Sequence, residues 1–261
     1  MSIISLITDF GLKDNFVGVM KGVILKINPS AQLVDICHEI KPQGILEAAF
    51  LLRSAFKYFP YGCVHLVVVD PGVGSKRKNI LVKTKNYFFI GPDNGVLSLA
   101  LKEEHPLEII EITNRKFFLK PTSSTFHGRD IFAPVAAYLS KKEKADKFGK
   151  RIKSLQDLRL PEVKLESKNL IGEIIYVDRF GNLISNIDKE TWGEFIKNKK
   201  FKISIRDKII DKLSGSYAEG AQRKPIALID SFNYLEIASN CASAKEYLKA
   251  DKGTKIKVSR E

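Results

Sequence analysis

Cysteine and long apolar runs are two features that this chain of 261 residues has little of. Its three cysteines, Cys37, Cys63 and Cys241, are far apart and odd in number, which excludes a disulfide framework and gives no zinc-ligand spacing. Such cysteine use is typical of a reducing compartment, so we expect a cytoplasmic protein. No stretch approaches the roughly 18 consecutive apolar residues that a membrane span needs, and the apolar N-terminus lacks the basic start of a signal peptide. We therefore expect no membrane partner.

Acidic residues are also outnumbered, because 30 Asp and Glu stand against 43 Lys and Arg, for a formal net charge of +13. An excess of this size is typical of nucleic-acid-binding proteins, which is therefore one alternative. The basic residues are spread over the whole chain rather than gathered into one patch. Lysine-rich surfaces also occur in heat-adapted proteins. We accordingly expect no nucleic-acid partner.

The first part of the chain alternates strand and helix patterns. Continuous apolar runs predict buried strands, and apolar residues at helical spacing predict helices. In chain order these are strand 3–7, helix 14–27, strand 33–36, helix 43–59, strand 63–69, an antiparallel hairpin over 80–90 and helix 131–139. Strands separated by helical crossovers of this length predict a mostly parallel α/β sheet.

The pattern changes after a basic stretch at residues 141–153. Short strands separated by turns follow, at 170–177, 183–187, 201–205, 225–229, 235–238 and 254–258, with short helices near 190–197 and 242–248. Many short strands with turn signals between them predict an antiparallel β-barrel. We therefore predict two domains, an N-terminal α/β domain over residues 1–158 and a smaller C-terminal β-barrel domain over 159–261.

A carboxylate ends the most apolar strand of the chain. Asp70 follows Val67-Val68-Val69, then Pro71, Gly72 and Gly74 permit a tight loop, and Arg77 comes before the next apolar run. In open α/β sheets, ligands bind outside the carboxyl ends of the strands. Asp-Pro-Gly is also common turn chemistry, so this stretch alone leaves a plain turn and a binding site both open. The loop lacks the glycine spacing of a P-loop or of a dinucleotide fingerprint.

Other polar loops allow the same two interpretations. Thr8-Asp9-Phe10-Gly11 again places an acid at a strand end, and His127 stands just before a predicted helix, where capping is the plainer interpretation. Asp178-Arg179-Phe180-Gly181-Asn182 and Ser231-Phe232-Asn233-Tyr234 each join two strands, as hairpin turns do. Taken singly, none of these motifs specifies a function.

Taken together and in order, the motifs resemble a known family. They are Thr8-Asp9-Phe10-Gly11, Val69-Asp70-Pro71-Gly72-Val73-Gly74, Gly91-Pro92-Asp93-Asn94-Gly95, Phe126-His127-Gly128-Arg129-Asp130, Asp178-Arg179-Phe180-Gly181-Asn182 and Leu235-Glu236-Ile237-Ala238-Ser239-Asn240. The chain resembles the S-adenosyl-L-methionine (SAM) hydrolases (adenosine-forming), also called SAM hydroxide adenosyltransferases, which are relatives of the SAM-dependent fluorinase and chlorinase. The resemblance implies an α/β domain followed by a β-barrel domain. It also implies a homotrimer with SAM held between subunits.

The resemblance also implies a reaction and its residues. Water or hydroxide attacks C5′ of the SAM ribose and gives adenosine and L-methionine, so SAM is the substrate and neither a cofactor nor a metal is needed. The residues near the reacting carbon correspond to Asp70, Arg77 and His127. The substrate-binding positions correspond to Asp9 for the ribose hydroxyls, to Asp178, Phe180, Asn182 and Ser231 for the methionine part, and to Asn240 and Cys241 for the adenine.

Two departures from the halogenating relatives and three alternatives accompany this prediction. Gln43 stands where those relatives have an aromatic residue, and Ser239 where they have an arginine. A SAM- or adenosine-binding sensor with negligible turnover would keep the same fold. Halogenation of SAM is disfavoured because Asp70 would repel a halide. Metal-dependent hydrolysis through Asp9, Asp14 and Asp70 lacks a ligand spacing that supports it.

Three further residues receive a structural interpretation. His65 lies inside the apolar run 63–69, so we expect a hydrogen-bonded interior histidine. Trp192 is expected to pack in a short helix, and His105, which precedes a proline, is expected to be exposed.

Overall fold

The computed structural model describes residues 2–260 of the chain. Contacts divide it into two compact units, with the boundary between Leu158 and Arg159. Among the helices of the described residues, none is both long enough and apolar enough to cross a membrane.

The first unit alternates strands and helices before it turns antiparallel. Its elements are β1 (Ile3–Thr8), α1 (Phe16–Ile27), β2 (Gln32–Cys37), α2 (Ile45–Ala55), β3 (Val64–Val68), β4 (Asn79–Lys83), β5 (Phe88–Pro92), α3 (Ser98–Glu104), β6 (Glu108–Ile112), a π-helical turn (Gly128–Phe132), α4 (Ala133–Ser140) and β7 (Gly149–Arg151). Short 3-10 turns occur at Phe56–Tyr58, Arg115–Phe117 and Ala145–Phe148.

One mixed sheet runs through this unit in the order β2-β1-β3-β5-β4-β6-β7. β2, β1, β3 and β5 are parallel neighbours, whereas β4 pairs antiparallel with β5 and β6. The predicted mostly parallel α/β sheet and the predicted hairpin are therefore confirmed. Thr8 at the end of β1 pairs with Val68 at the end of β3, so the chain leaves both strands at the same edge of the sheet.

Helices cover both faces of the sheet. Leu66 packs in one hydrophobic cluster with residues of α1 and α4, and its neighbour Val67 packs in another with residues of α2 and α3. Successive side chains of a strand point to opposite faces, so β3 needs apolar residues at consecutive positions. This requirement explains the continuous apolar run that the sequence shows there.

His65 is the exception in that run, and it is fully buried. Its Nδ1 lies 2.7 Å from Oγ of Ser5, and its ring stacks on Phe89 with centroids 5.1 Å apart. Burial lowers the pKa of His65 to about 3, so the ring is neutral at ordinary pH. The prediction of a hydrogen-bonded interior histidine is confirmed.

Several parts of this unit differ from the sequence prediction, which contained neither β6 nor β7. The sequence analysis did not predict α3, because it has only seven residues and follows the dense turn signal at 91–95. The helix predicted over 131–139 begins earlier, at Gly128, with the π-helical turn that leads into α4. The π-helical turn matters for the candidate site, because His127 directly precedes it.

The second unit is built mainly of antiparallel strands. Its elements are β8 (Lys164–Glu166), β9 (Asn169–Val177), β10 (Leu183–Asp188), α5 (Lys189–Ile196), β11 (Phe201–Ile205), β12 (Lys208–Ile210), a 3-10 turn (Tyr217–Glu219), β13 (Pro225–Ile229), β14 (Tyr234–Ser239), α6 (Ala244–Leu248) and β15 (Lys255–Arg260).

The sheet of this unit nearly closes into a barrel. Its order is β12-β11-β15-β9-β10-β14-β13, with β8 beside β9, and a bridge between Leu213 and Ala227 links the chain after β12 to β13. Alternate side chains, including Leu235 and Ile237 of β14, fill the core together with the buried Trp192 of α5. The predicted β-barrel class and the packing interpretation of Trp192 are confirmed.

Candidate functional site

The carboxyl ends of β1 and β3 bring two predicted site residues to the same edge of the first sheet. Asp9 follows β1, and Asp70 comes two residues after β3. Asn94, in the turn after β5, donates its side-chain amide to the carbonyl of Val69 at 2.8 Å, which fixes the chain just before Asp70. The topology of a parallel sheet, rather than proximity in sequence, therefore sets the position of this pair.

A glycine lets the Asp70 loop lie against the segment that carries His127. Gly74 has φ of +77°, and a Cβ built on it would lie 2.5 Å from the carbonyl oxygen of Ser124. A larger residue would meet both the backbone strain and this clash. The loop then returns Arg77 towards Asp70.

Asp70, Arg77 and His127 form one hydrogen-bonded cluster. Arg77 holds Asp70 with a bidentate pair: Nε donates to Oδ1 at 2.7 Å and Nη2 donates to Oδ2. Nη2 of Arg77 also lies 2.8 Å from Nδ1 of His127. The side chains of Arg77 and Asp70 are only 10% and 6% exposed. The structure thus brings the three residues predicted to lie near the reacting carbon into direct contact.

The cluster fixes the protonation state of His127. A guanidinium can only donate, so Nδ1 of His127 must accept, and the proton of the neutral ring is on Nε2. Burial, followed by the positive charge of Arg77, lowers the pKa of His127, while Asp70 and Asp130 oppose that change. The imidazole therefore stays neutral at ordinary pH and presents an N–H donor at Nε2.

His127 occupies the position before the π-helical turn, but its side chain does not cap that turn. The capping interpretation of this residue is therefore wrong, because Arg77 takes the side chain instead. Gly128 permits the close packing here, since a Cβ on it would lie within 3.3 Å of atoms of Met20, Phe126 and Val68. Sites with an inserted helical residue are frequently functional.

Asn79 and Asp130 support the cluster, and the sequence analysis missed both roles. Asn79 accepts a hydrogen bond from Nη1 of Arg77, so the guanidinium is held from a third side. Asp130 is buried, accepts from the backbone N–H of Ser123 at 2.7 Å and pairs with Arg129, which ties the chain on either side of His127 together. The sequence offered two signals for these roles: a polar residue at the start of β4 and an acid within Gly128–Phe132.

Asp70 and His127 border a cavity of about 690 Å³ in the first unit. Its lining combines acidic, aromatic and basic side chains: Asp9, Phe10, Phe16, Pro42, Gln43, Val68, Asp70, Pro71, Val73, Ser123, Thr125, Phe126, His127, Gly128 and Arg129. The rings of Phe10, Phe16 and Phe126 contact one another, with centroids 5.3–5.8 Å apart. Apolar walls with a few convergent polar groups are typical of small-molecule sites.

Asp9 is held at the edge of this cavity by its own contacts. Its Oδ2 accepts the backbone N–H of Gln43 at 2.8 Å, and Gln43 adopts the left-handed φ of +66° there. The preceding Thr8 is bonded to the buried His38, with 2.8 Å between Oγ1 and Nδ1. One carboxylate oxygen of Asp9 has no hydrogen bond within residues 2–260, so it is available to a ligand.

The other predicted site residues lie in the second unit. Asp178 and Asn182 close the β9–β10 turn: Asp178 accepts from the backbone and side-chain amides of Asn182 at 2.8 and 2.9 Å. The register sets this turn beside the end of β14, which Asn240 and Cys241 follow. Ser231 lies beyond the opposite end of β14, before Tyr234.

Their exposure differs widely. Phe180 is 76% exposed at the tip of its turn, and Ser231 and Cys241 are exposed as well. Asn182 is buried, and Asn240 is partly buried and donates to the carbonyl of Gly220 at 2.9 Å.

Within residues 2–260, no group of three or more His, Cys, Asp or Glu side chains is placed to hold a metal ion. Asp9, Asp14 and Asp70 thus form no such group.

The comparisons with known proteins agree over nearly the whole chain. The models of the SAM hydroxide adenosyltransferase N-terminal and C-terminal domains match residues 4–149 and 172–257. An (R)-S-adenosyl-L-methionine hydrolase of Methanocaldococcus jannaschii is 38% identical, over 99% of this chain and 96% of the relative. A fluorinase of Nocardia brasiliensis is 27% identical, over 98% and 97%. The crystal structure of an uncharacterized conserved protein from Thermotoga maritima has a TM-score of 0.91 at 38% identity, over 98% of this chain and 100% of that one.

Proposed function

The chain belongs to the SAM hydroxide adenosyltransferase family, and on that premise we propose that it hydrolyses SAM to adenosine and L-methionine at the Asp70–Arg77–His127 cluster. The observation that carries this assignment is that Arg77 is hydrogen-bonded to both Asp70 and His127, two residues that line the same cavity. We infer the reaction from the family to which the chain belongs, and we infer the reacting residues from their contacts.

The sulfonium of SAM is already a good leaving group. The oxygen of water forms a bond to C5′, the C5′–S bond breaks, and the sulfonium leaves as the neutral thioether of methionine. One proton is released from the water. The enzyme must therefore position a weak nucleophile in line with the C5′–S bond and stabilise its developing hydroxide character.

The cluster suits that task. Arg77 is nearly buried, and a positive charge acts more strongly on a nearby oxygen anion in a poorly solvated site. Its bonds to Asp70, Asn79 and His127 hold the guanidinium before the substrate arrives, so no reorganisation is needed during the reaction. The Nε2–H of His127 adds a second donor. The proton of the water passes to the cluster as a coupled unit, so we assign it to no single residue.

The fluorinase relatives make halide transfer the competing reaction. A halide would have to approach the Asp70 carboxylate, which faces the same cavity. Anions repel one another strongly where water is scarce. We therefore assign water, a neutral molecule, as the nucleophile.

The remaining site residues receive roles from the same family relation. A carboxylate oxygen of Asp9 accepts hydrogen bonds from the ribose hydroxyls, which suits a cis-diol. Asp178, Phe180, Asn182 and Ser231 serve the methionine part. Asn240 and the backbone of Cys241 serve the adenine. We also propose a homotrimer, which light scattering of the purified protein would test; a monomer at assay concentrations would contradict it.

The experiment is product analysis after incubation with SAM. Wild type should release adenosine and methionine in equal amounts. Asp70→Ala and His127→Ala should lower the rate by about 100-fold or more, as expected on loss of general acid–base or electrostatic groups. The exposed His105 provides a matched control, because His105→Ala removes a histidine outside the cavity. Absence of adenosine from wild type would contradict the reaction, and unchanged variants would contradict the site.

A further inference from the structure

The turn at residues 91–95 contains one of the sequence motifs, and the proposed function gives it no role. It lies at the end of β5, the strand between β3 and β4 in the sheet. β3 runs parallel to β5 and β4 runs antiparallel to it, so the end of β3 and the start of β4 lie on either side of the 91–95 turn. These two strands are joined by residues 69–78, the β3–β4 loop, which carries Asp70 and Arg77.

Consecutive residues of the 91–95 turn hold the two ends of the β3–β4 loop. The side-chain amide of Asn94 donates to the carbonyl of Val69 at 2.8 Å, where the loop begins. The backbone N–H of Asp93 donates to the carbonyl of Lys78 at 2.9 Å, where the loop ends. That second carbonyl also accepts from Nη1 of Arg77 at 3.3 Å. The turn therefore sets how far apart the two ends of the loop lie.

Of these two bonds from the turn, the one made by Asn94 depends on the identity of the side chain. A backbone N–H is present in every residue type except proline, whereas few side chains carry an amide donor. Asn94 also accepts the backbone N–H of Val96 at 3.1 Å, a local bond that asparagine commonly makes in turns. Its bond to Val69 joins residues 25 positions apart, and formation of the turn does not require it.

We propose that Asn94 is a positioning residue for SAM hydrolysis, which holds the β3–β4 loop in the conformation in which Arg77 contacts both Asp70 and His127. This assignment rests on the proposed function. Asn94 lies outside the described lining of the cavity, so it acts on the reaction through the loop and not by contact with SAM.

Arg77 depends on the shape of this loop from several sides. Its guanidinium pairs with Asp70 within the loop and with Asn79, which lies opposite Pro92 of β5 in the strand register. Nη2 must also reach Nδ1 of His127, 2.8 Å away on a different segment of the chain. A displacement of about 1 Å in a reacting geometry can cost about 100-fold in rate. Loosening the end of the loop next to Asp70 should therefore disturb the whole cluster.

Asn114 supplies a matched control in the same unit. Its side-chain amide donates to the carbonyl of Lys147 at 2.8 Å, and its side-chain oxygen accepts the backbone N–H of Lys116 at 3.1 Å. These two bonds have the same chemistry and the same lengths as those of Asn94, and both asparagines are partly buried. Substitution of Asn114 therefore removes the same kinds of bond at a place that does not contact the β3–β4 loop.

The test replaces each asparagine by aspartate and by alanine. Aspartate keeps the acceptor for the local N–H and loses the amide donor, whereas alanine loses both. kcat and KM for SAM are measured well below the unfolding temperature of every variant, so that all molecules in the assay are folded. Backbone hydrogen exchange, followed by mass spectrometry, reports on residues 69–78 in the absence of turnover.

We expect Asn94→Asp and Asn94→Ala to lower kcat about 30-fold and to leave KM within about two-fold of wild type. The reason is that groups acting in the transition state are displaced, while the rest of the site keeps its shape. Hydrogen exchange in residues 69–78 should become at least about 10-fold faster. Asn114→Asp and Asn114→Ala should change neither kcat nor this exchange.

An unchanged kcat in the Asn94 variants would overturn the positioning role. An equal loss of kcat in the Asn114 variants, or a rise in KM without a loss of kcat, would overturn it too. Wild type that releases no adenosine from SAM would overturn the proposed function instead. Hydrogen exchange would still show whether Asn94 holds the loop, and unchanged exchange in residues 69–78 would contradict that.

Discussion

As the pH rises, the Glu236→Gln variant should become more stable relative to wild type. Burial raises the pKa of this carboxyl from 4.5 to about 7 in the folded protein. A raised pKa favours folding while the group is protonated, and this contribution is lost as the pH rises towards the folded value. Glutamine does not titrate, so Glu236→Gln removes the loss.

The magnitude follows from the pKa difference. Each unit of pKa corresponds to about 1.4 kcal/mol, so the free energy of unfolding of wild type should fall by about 3 kcal/mol, relative to Glu236→Gln, between pH 4 and pH 8. Burying the glutamine amide adds an offset that does not depend on pH, which cancels in this difference. The change should occur mostly between pH 4.5 and pH 7.

Urea unfolding at a series of pH values, followed by circular dichroism, measures this difference. Glu194→Gln is the control, because its carboxylate is exposed and should give a nearly constant difference from wild type. A constant difference between wild type and Glu236→Gln from pH 4 to pH 8 would contradict a raised pKa of Glu236 in the folded protein. It would show that Glu236 is ionised at no cost in the folded protein.

Three other substitutions test other parts of the account. Arg77→Lys should lower kcat about 100-fold with a smaller change in KM, because one ammonium cannot replace the bonds to Asp70, Asn79 and His127; steady-state assays with SAM measure this, and an unchanged kcat would contradict it. Gly74→Ala should destabilise the protein by about 2 kcal/mol or more and slow hydrolysis, since its φ of +77° and the clash with Ser124 combine; unchanged urea unfolding would contradict it. His65→Leu should abolish a loss of about 3 kcal/mol in stability between pH 6.5 and pH 4, because the pKa of His65 falls from 6.5 to about 3 on folding and the unfolded chain gains the proton first; parallel pH profiles of the two proteins would contradict it.

The sequence allowed the strand and helix order to be predicted because its apolar periods are consistent with the final packing. Strands Phe201–Ile205 and Pro225–Ile229 have the predicted bounds, and β1 and β3 end within one residue of the ends of the apolar runs. Asp9 and Asp70 were each noted in the sequence as an acid at a strand end, and the parallel pairing of β1 and β3 places both at one edge. The apolar runs predicted these strands because a sheet covered on both faces needs apolar residues at consecutive positions.

Other features depend on contacts that no local pattern contains. His127 occupies the position before the π-helical turn, but its side chain bonds to Arg77 of the loop after β3 and does not cap the turn. Glu236 stands in an otherwise apolar strand, where a solvated acid and a buried one look the same in sequence. Its burial between β10 and β13 is a property of the barrel register, which the sequence does not specify at single-residue precision.

The origin of the 5′ oxygen of adenosine shows directly whether water is the nucleophile that attacks C5′ of SAM. SAM is incubated with the enzyme in water enriched in oxygen-18, and adenosine is examined by mass spectrometry alongside Asp70→Ala and His127→Ala. We expect wild type to give adenosine with one heavy oxygen at the 5′ position, together with unlabelled methionine, at a rate that both variants sharply reduce. Adenosine without the label, or formed equally fast by the variants, would contradict water attack at C5′ by this cluster.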